Sequence, residues 1–123
     1  MNNVKTDTKE KFTVVKPQFE VLSANLAVEL VAYLKTFLEK EVTHIILDLG
    51  NITQTSSMEA NLLIDVQNHF YDKQSSFVIC ALGSSLLPLF KESINITPTE
   101  SEAWDIVQME EIERELLNNF NDL

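Results

Sequence analysis

Two apolar runs that refuse to alternate constrain this chain most. "HIILDL" (His44 to Leu49) and "FVICAL" (Phe77 to Leu82) place apolar side chains at successive positions. In a strand, successive side chains point to opposite faces, so each run must be covered on both sides. Between them, Met58, Leu62, Val66 and Phe70 recur at steps of four, with Leu63 beside them, which reads as a helix running to about Lys73. Two doubly covered strands joined by an amphipathic helix imply a parallel sheet flanked by helices.

The flanking segments extend the pattern. "FTVV" (Phe12 to Val15) and "FEVL" (Phe19 to Leu22) read as short strands divided at Pro17, which cannot donate to a ladder. Ser23 offers an N-cap to a helix carrying Ala27, Leu30, Val31, Leu34 and Leu38 on one face. After "FVICAL" come Gly83, a Ser84–Ser85 cap and a short helix, "LLPLFKE", with Pro88 in its first turn. "INIT" (Ile94 to Thr97) is a last strand. Thr99 and Glu102 have capping-box spacing for a final helix whose apolar side would be Trp104, Val107, Ile112, Leu116 and Phe120. The expectation is one α/β domain, β-β-α-β-α-β-α-β-α, with a mostly parallel sheet of four to five strands and about four helices. Residues 1–11 read as a flexible N-terminus, 12–119 as the domain and 120–123 as its C-terminal end.

Charge and composition exclude several function classes. The 123-residue chain carries a net charge of −10, and Glu100 to Leu123 hold eight acids against Arg114 alone. Nucleic acid is not an expected partner, because binding it requires a basic patch. No apolar run reaches the ~20 residues of a membrane span, so membrane insertion is not expected. The polar start "MNNVKTDTKEKF" lacks the apolar centre of a signal peptide. Cys80 is the only cysteine. That suits a cytoplasmic setting, and its position in "FVICAL" suits an inert core thiol. Only Gly50 and Gly83 are present, so no glycine-rich phosphate loop can be written. His44 and His69 lack a cysteine partner, and neither a metal nor a cofactor is expected.

The chemistry concentrates in the junction "ILDLGNITQTSSMEANLL" (Ile46 to Leu63), where Thr53, Thr55, Ser56 and Ser57 cluster at a helix start. Ser56 and Glu59 have the S-x-x-E capping-box spacing: Ser56 can accept a backbone N–H while Glu59 reaches back. A serine hydrolase is the remote alternative. Ser56 follows a strand and precedes a helix, but Gln54 and Met58 stand where an elbow needs glycines, and no histidine follows His69.

A buried strand, "TSSM" at a helix start, then "FVICALGSSLLPLF" (Phe77 to Phe90) resembles the STAS family, whose bacterial founders are anti-sigma-factor antagonists. There a strand similar to "HIILDL" leads into Asp-Ser-Ser-Gly, and the later strand typically reads like "VVVCAISPAVKRLF". "ANLAVELVAYLKTFLEKEVTHIILDL" resembles the family's first helix and next strand, and the resemblance covers roughly Phe12 to Asn118. It implies a non-enzymatic module in transcription regulation by partner switching. The partner would be an anti-sigma factor or switch kinase, which phosphorylates the motif's first serine. On this chain that serine is Ser56, with Ser57 and Thr55 ranked behind it. The contact surface would comprise Thr53, Gln54, Thr55, Ser56, Ser57, Met58 and Glu59. The family's aspartate is Thr55 here, its motif glycine is Met58, and the glycine before its first helix is absent from "FEVLSAN". An unphosphorylated STAS scaffold or transport-associated domain is the alternative the resemblance leaves open.

Overall fold

In the computed structural model, which describes residues 1–40 and 44–121, a five-stranded sheet carries helices on both faces. The elements are β1 (Val4–Thr8), β2 (Thr13–Pro17), α1 (Ala24–Lys35), β3 (Ile45–Asp48), α2 (Ser57–Asp72), β4 (Phe77–Cys80), β5 (Ile96–Thr97) and α3 (Glu100–Asn121). The strands lie side by side in chain order. β1 pairs antiparallel with β2, and every other pair is parallel. Residues 122–123, part of the expected C-terminal end, lie outside the described residues.

The two apolar runs are the centre of the sheet, for the reason their sequence implies. Ile45, Leu47, Phe77 and Ile79 point into a core shared with Leu30 and Leu34 of α1 and with Leu63 and Phe70 of α2. Their neighbours Ile46, Val78 and Cys80 point to the other face, beneath Ala103 and Val107 of α3. Burial pushes the Cys80 thiol up to about 12, helped by the Asp48 and Glu100 carboxylates, so it stays protonated and inert as expected.

Five expectations are corrected. The N-terminus is not wholly flexible, because Val4–Thr8 forms edge strand β1 in register Val4↔Pro17 to Thr8↔Thr13. Backbone pairing holds β1 with almost no buried side chain, while Lys5 and Asp7 keep the open edge polar. "FEVL" is no strand: β1 already occupies the free edge of β2, and only an isolated bridge joins Val21 to Gln54. The "LLPLFKE" helix shortens to a 3₁₀ turn over Leu87–Phe90, since Pro88 supplies no N–H and four residues close only that tighter ring. The described residues thus form three α-helices, with a second 3₁₀ turn, Thr36–Glu39, continuing α1. Met58 leaves the expected α2 core stripe and is 67% exposed, its place inside taken by Ala60 and Leu63. Ile112, Leu116 and Phe120 of the expected α3 stripe likewise face solvent, and α3 packs through Ala103, Val107 and the partly buried Trp104, which stacks on Phe12 at 4.4 Å.

Candidate functional site

The junction after β3 is a tied-down turn that presents a helix N-terminus. Asp48 ends the strand; its carboxylate accepts the Gly50 N–H at 2.8 Å and lies 3.7 Å from the Lys16 ammonium. A Cβ at Gly50 would stand 3.0 Å from that same carboxylate oxygen, so a larger residue there would have to shift the Asp48 side chain that ties the turn. Asn51 donates its amide to the Pro17 carbonyl, and Ile52 returns to the core.

The next residues are anchored to the segment that enters α1. The Thr53 and Gln54 N–H groups both donate to the Glu20 carbonyl, and the Leu22 N–H donates to the Gln54 carbonyl at 2.9 Å. Hydroxyls reinforce these bonds: Thr53 donates to Glu20 O at 3.4 Å and Thr55 to Leu22 O at 3.1 Å. Glu20 and Leu22 therefore belong to the site through their carbonyls. Their side chains give no sequence signal for that role.

Ser56 is the N-cap of α2, in extended conformation (φ −130°, ψ 173°), and its carbonyl accepts the first helical bond from Ala60. Its hydroxyl does not accept a backbone N–H. It donates to the Glu59 carboxylate. The capping-box spacing is real, but the hydroxyl faces the other way from the expected cap. The Ser56 hydroxyl, followed by the Glu59 and Ser56 backbone N–H groups, holds Glu59 below the ordinary glutamate range. Glu59 is thus an anion fixed at the positive end of a helix.

The structure brings together all seven sequence-predicted residues, Thr53 to Glu59. Thr53, Gln54, Ser56, Ser57 and Met58 are exposed, Thr55 is half-buried, and Glu59 is buried beneath Ser56. The stretch offers three hydroxyls already engaged, a fourth exposed at Ser57, an apolar side chain at Met58 and a single negative charge. Such a surface can dock a protein, and its serines are reachable for phosphoryl transfer. Neither histidine bonds these hydroxyls. His44 bonds Glu111 at 2.7 Å and Ser76 N at 2.9 Å, and His69 bonds the Asp65 carbonyl. Among the described residues no cluster of His, Cys, Asp or Glu could hold a metal, and no helix is long and apolar enough to cross a membrane.

No family model matches the sequence, and no curated protein matches it. Solved structures do. TM1081 of Thermotoga maritima, a proposed anti-sigma factor antagonist, shares 18% identity at a TM-score of 0.74, over 87% of this chain and 96% of that one. The anti-sigma factor antagonist SpoIIAA in its unphosphorylated form shares 17% at a TM-score of 0.68, over 85% and 97%. The Bacillus cell fate determinant SpoIIAA in its phosphorylated form shares 16% at 0.67, over 85% and 98%. At these identities the likeness is one of architecture: the chain has the fold of a STAS domain.

Proposed function

We propose that this chain is a non-enzymatic protein-binding module that docks a regulatory protein on the turn Thr53 to Glu59. The partner would be an anti-sigma factor or switch kinase, and docking would be controlled by phosphorylation of Ser56 in a cytoplasmic partner switch. One observation carries the reading. An exposed serine caps α2 on a turn held at both ends by backbone bonds, in a fold shared with an anti-sigma factor antagonist solved in unphosphorylated and phosphorylated forms.

The switch follows from charge. A phosphate on Ser56 adds about −1.5 to −2 charges. It removes the hydroxyl proton that Glu59 now accepts and sets a second anion beside that carboxylate. The helix N-terminus compensates the added charge within the fold. A partner packed over the unmodified turn has no such compensation, and burying the added charge there costs several kcal/mol. Binding is lost while the domain stays folded.

Met58 favours a second reading, an unphosphorylated scaffold. A side chain 67% exposed beside Ser56 suits a constitutive apolar contact. Purification of the tagged chain from its native cell separates the two, with mass spectrometry of Ser56 and identification of what co-purifies. Phosphate at Ser56, and a partner retained by the native chain but lost by Ser56→Asp, is the expected result. A partner retained equally by both, with no phosphate on Ser56, leaves the scaffold.

A further inference from the structure

The second half of α3 carries an apolar face that stands exposed among the described residues. Its inward side is defined by Ala103 and Val107, fully buried, and by three polar ties further along. Glu110 accepts from the Tyr71 hydroxyl and the Asn95 amide, Glu111 pairs with His44, and Arg114 donates to the Ser76 hydroxyl at 3.0 Å. At about 100° per residue, Met109, Ile112, Leu116 and Phe120 fall on the opposite side of the helix. They are 57%, 57%, 53% and 71% exposed. Rotating α3 to cover them would break every one of those ties.

We infer that this stripe is a docking seam for an amphipathic partner helix with basic flanks. The steps of three, four and four residues are those of a helix–helix seam, in which each apolar side chain packs between residues of a facing helix. Charge names the partner. Glu102, Asp105, Glu113 and Glu115 are exposed along the same helix. Its only basic residue, Arg114, is half-buried and turned to Ser76. A second copy of this chain would set acid against acid, and an anionic membrane surface would be repelled. Lysines and arginines beside an apolar seam would instead meet the acids and match the sign of the field.

This surface is separate from the turn that carries Ser56. Glu111 and Arg114 bond residues that enter β3 and β4, whereas Ser56 lies beyond the exit of β3, on the helix covering the other face. The inference does not rest on phosphorylation of Ser56. It gives the domain two contact surfaces that can be occupied together.

Two synthetic helical peptides test it against the full chain by fluorescence anisotropy and amide chemical shifts. Both carry the same Leu/Ile seam, with lysines on the flanks of one and glutamates on the flanks of the other. The lysine-flanked peptide should bind and shift residues 109 to 120. Ile112→Asp with Leu116→Asp should weaken it by roughly tenfold or more, with the circular dichroism of the chain unchanged. Ser56→Asp should leave it unaltered. No binding by the lysine-flanked peptide, equal binding by the glutamate-flanked one, or equal binding to the doubly substituted chain each overturns the seam. So does a concentration-dependent dimer of the chain that those substitutions dissolve, because the occupant would then be a second copy.

Discussion

Replacing Ser56 separates what the hydroxyl does for the fold from the docking role proposed for it, and Glu59 reports on the first. The residue is exposed and makes no cap bond to a backbone N–H, so the usual cap value of about 1 kcal/mol is an upper bound for Ser56→Ala. Denaturant unfolding at pH 7 should show a loss of about 0.5–1 kcal/mol. Ser56→Asp regains an acceptor suited to the N-cap and adds an anion where the helix favours one, yet it confronts the Glu59 carboxylate. These effects oppose, and net stability should stay within about 1 kcal/mol of native.

The titration of Glu59, followed by carbon NMR of its carboxyl group, checks the geometry directly. In the native chain it should lie below the ordinary value of 4.5, because the Ser56 hydroxyl and two backbone N–H groups favour the anion. Ser56→Ala removes the largest of these and should raise it; Ser56→Asp should raise it further, by like charge. The linkage sign follows. A depressed folded value gives stability that is complete above the unfolded value and is lost as pH falls through the folded one. Native stability should therefore decline over the acid range below 4.5 more steeply than that of Ser56→Ala. A Glu59 titration unmoved by Ser56→Ala refutes the hydrogen bond, and with it the account of why phosphate disturbs this turn.

Three further outcomes test the framework. Trp104→Ala removes a partly buried ring stacked on Phe12 and should destabilise by about 2–4 kcal/mol in chemical denaturation, whereas Ile112→Ala should change stability by about 0.5 kcal/mol or less. Gln67 is fully buried, donates to the Phe77 and Asn95 carbonyls, and accepts from Ser93 Oγ and Ile94 N. Gln67→Met should cost about 2–3 kcal/mol, and a loss below about 0.5 would mean the amide is not the tie between α2 and the entry to β5. Amide exchange should be slowest at Ile45–Asp48 and Phe77–Cys80 and fast in β1; protection of β1 equal to β3 would contradict its place at the sheet edge.

The parts of this fold legible in the sequence are those whose side chains are buried by geometry. β3 and β4 announce themselves because both faces are covered, so no polar residue interrupts Ile45–Leu47 or Phe77–Cys80. β1 does not, because backbone pairing and the Thr6–Tyr33 hydroxyl contact hold it while only Val4 is partly covered. "FEVL" has the composition of a strand, but a sheet edge can be occupied once, and β1 holds it. Helical periodicity placed Met58 and Ile112 inside; the azimuth of α2 and α3 is decided by Gln67, Glu111 and Arg114, polar residues that a hydrophobic stripe does not register. At the site, spacing paired Ser56 with Glu59, but not the direction of the bond between them. The ties from Thr53 and Thr55 run to carbonyls 33 residues earlier, and a carbonyl has no residue type to read.

Those ties bear on Thr55, where the motif that this stretch resembles carries aspartate. Thr55 donates its hydroxyl to the Leu22 carbonyl, one residue before Ser23 caps α1. An ionised carboxylate accepts only, so aspartate could not make this bond and would set negative charge against the carbonyl oxygen. Thr55 thus does work here that aspartate cannot do: it locks the turn carrying Ser56 to the entrance of α1. Leu22, 1% exposed, and the Leu22 N–H to Gln54 O bond complete the lock. Placing aspartate at position 55 would add a negative charge beside Ser56 and release that tie. The two effects fall on different measurements, phosphoryl transfer and amide protection of Leu22. A Thr55→Asp chain that keeps its Leu22 protection would show that the hydroxyl is dispensable to the lock, and that the backbone bonds alone hold the turn in place.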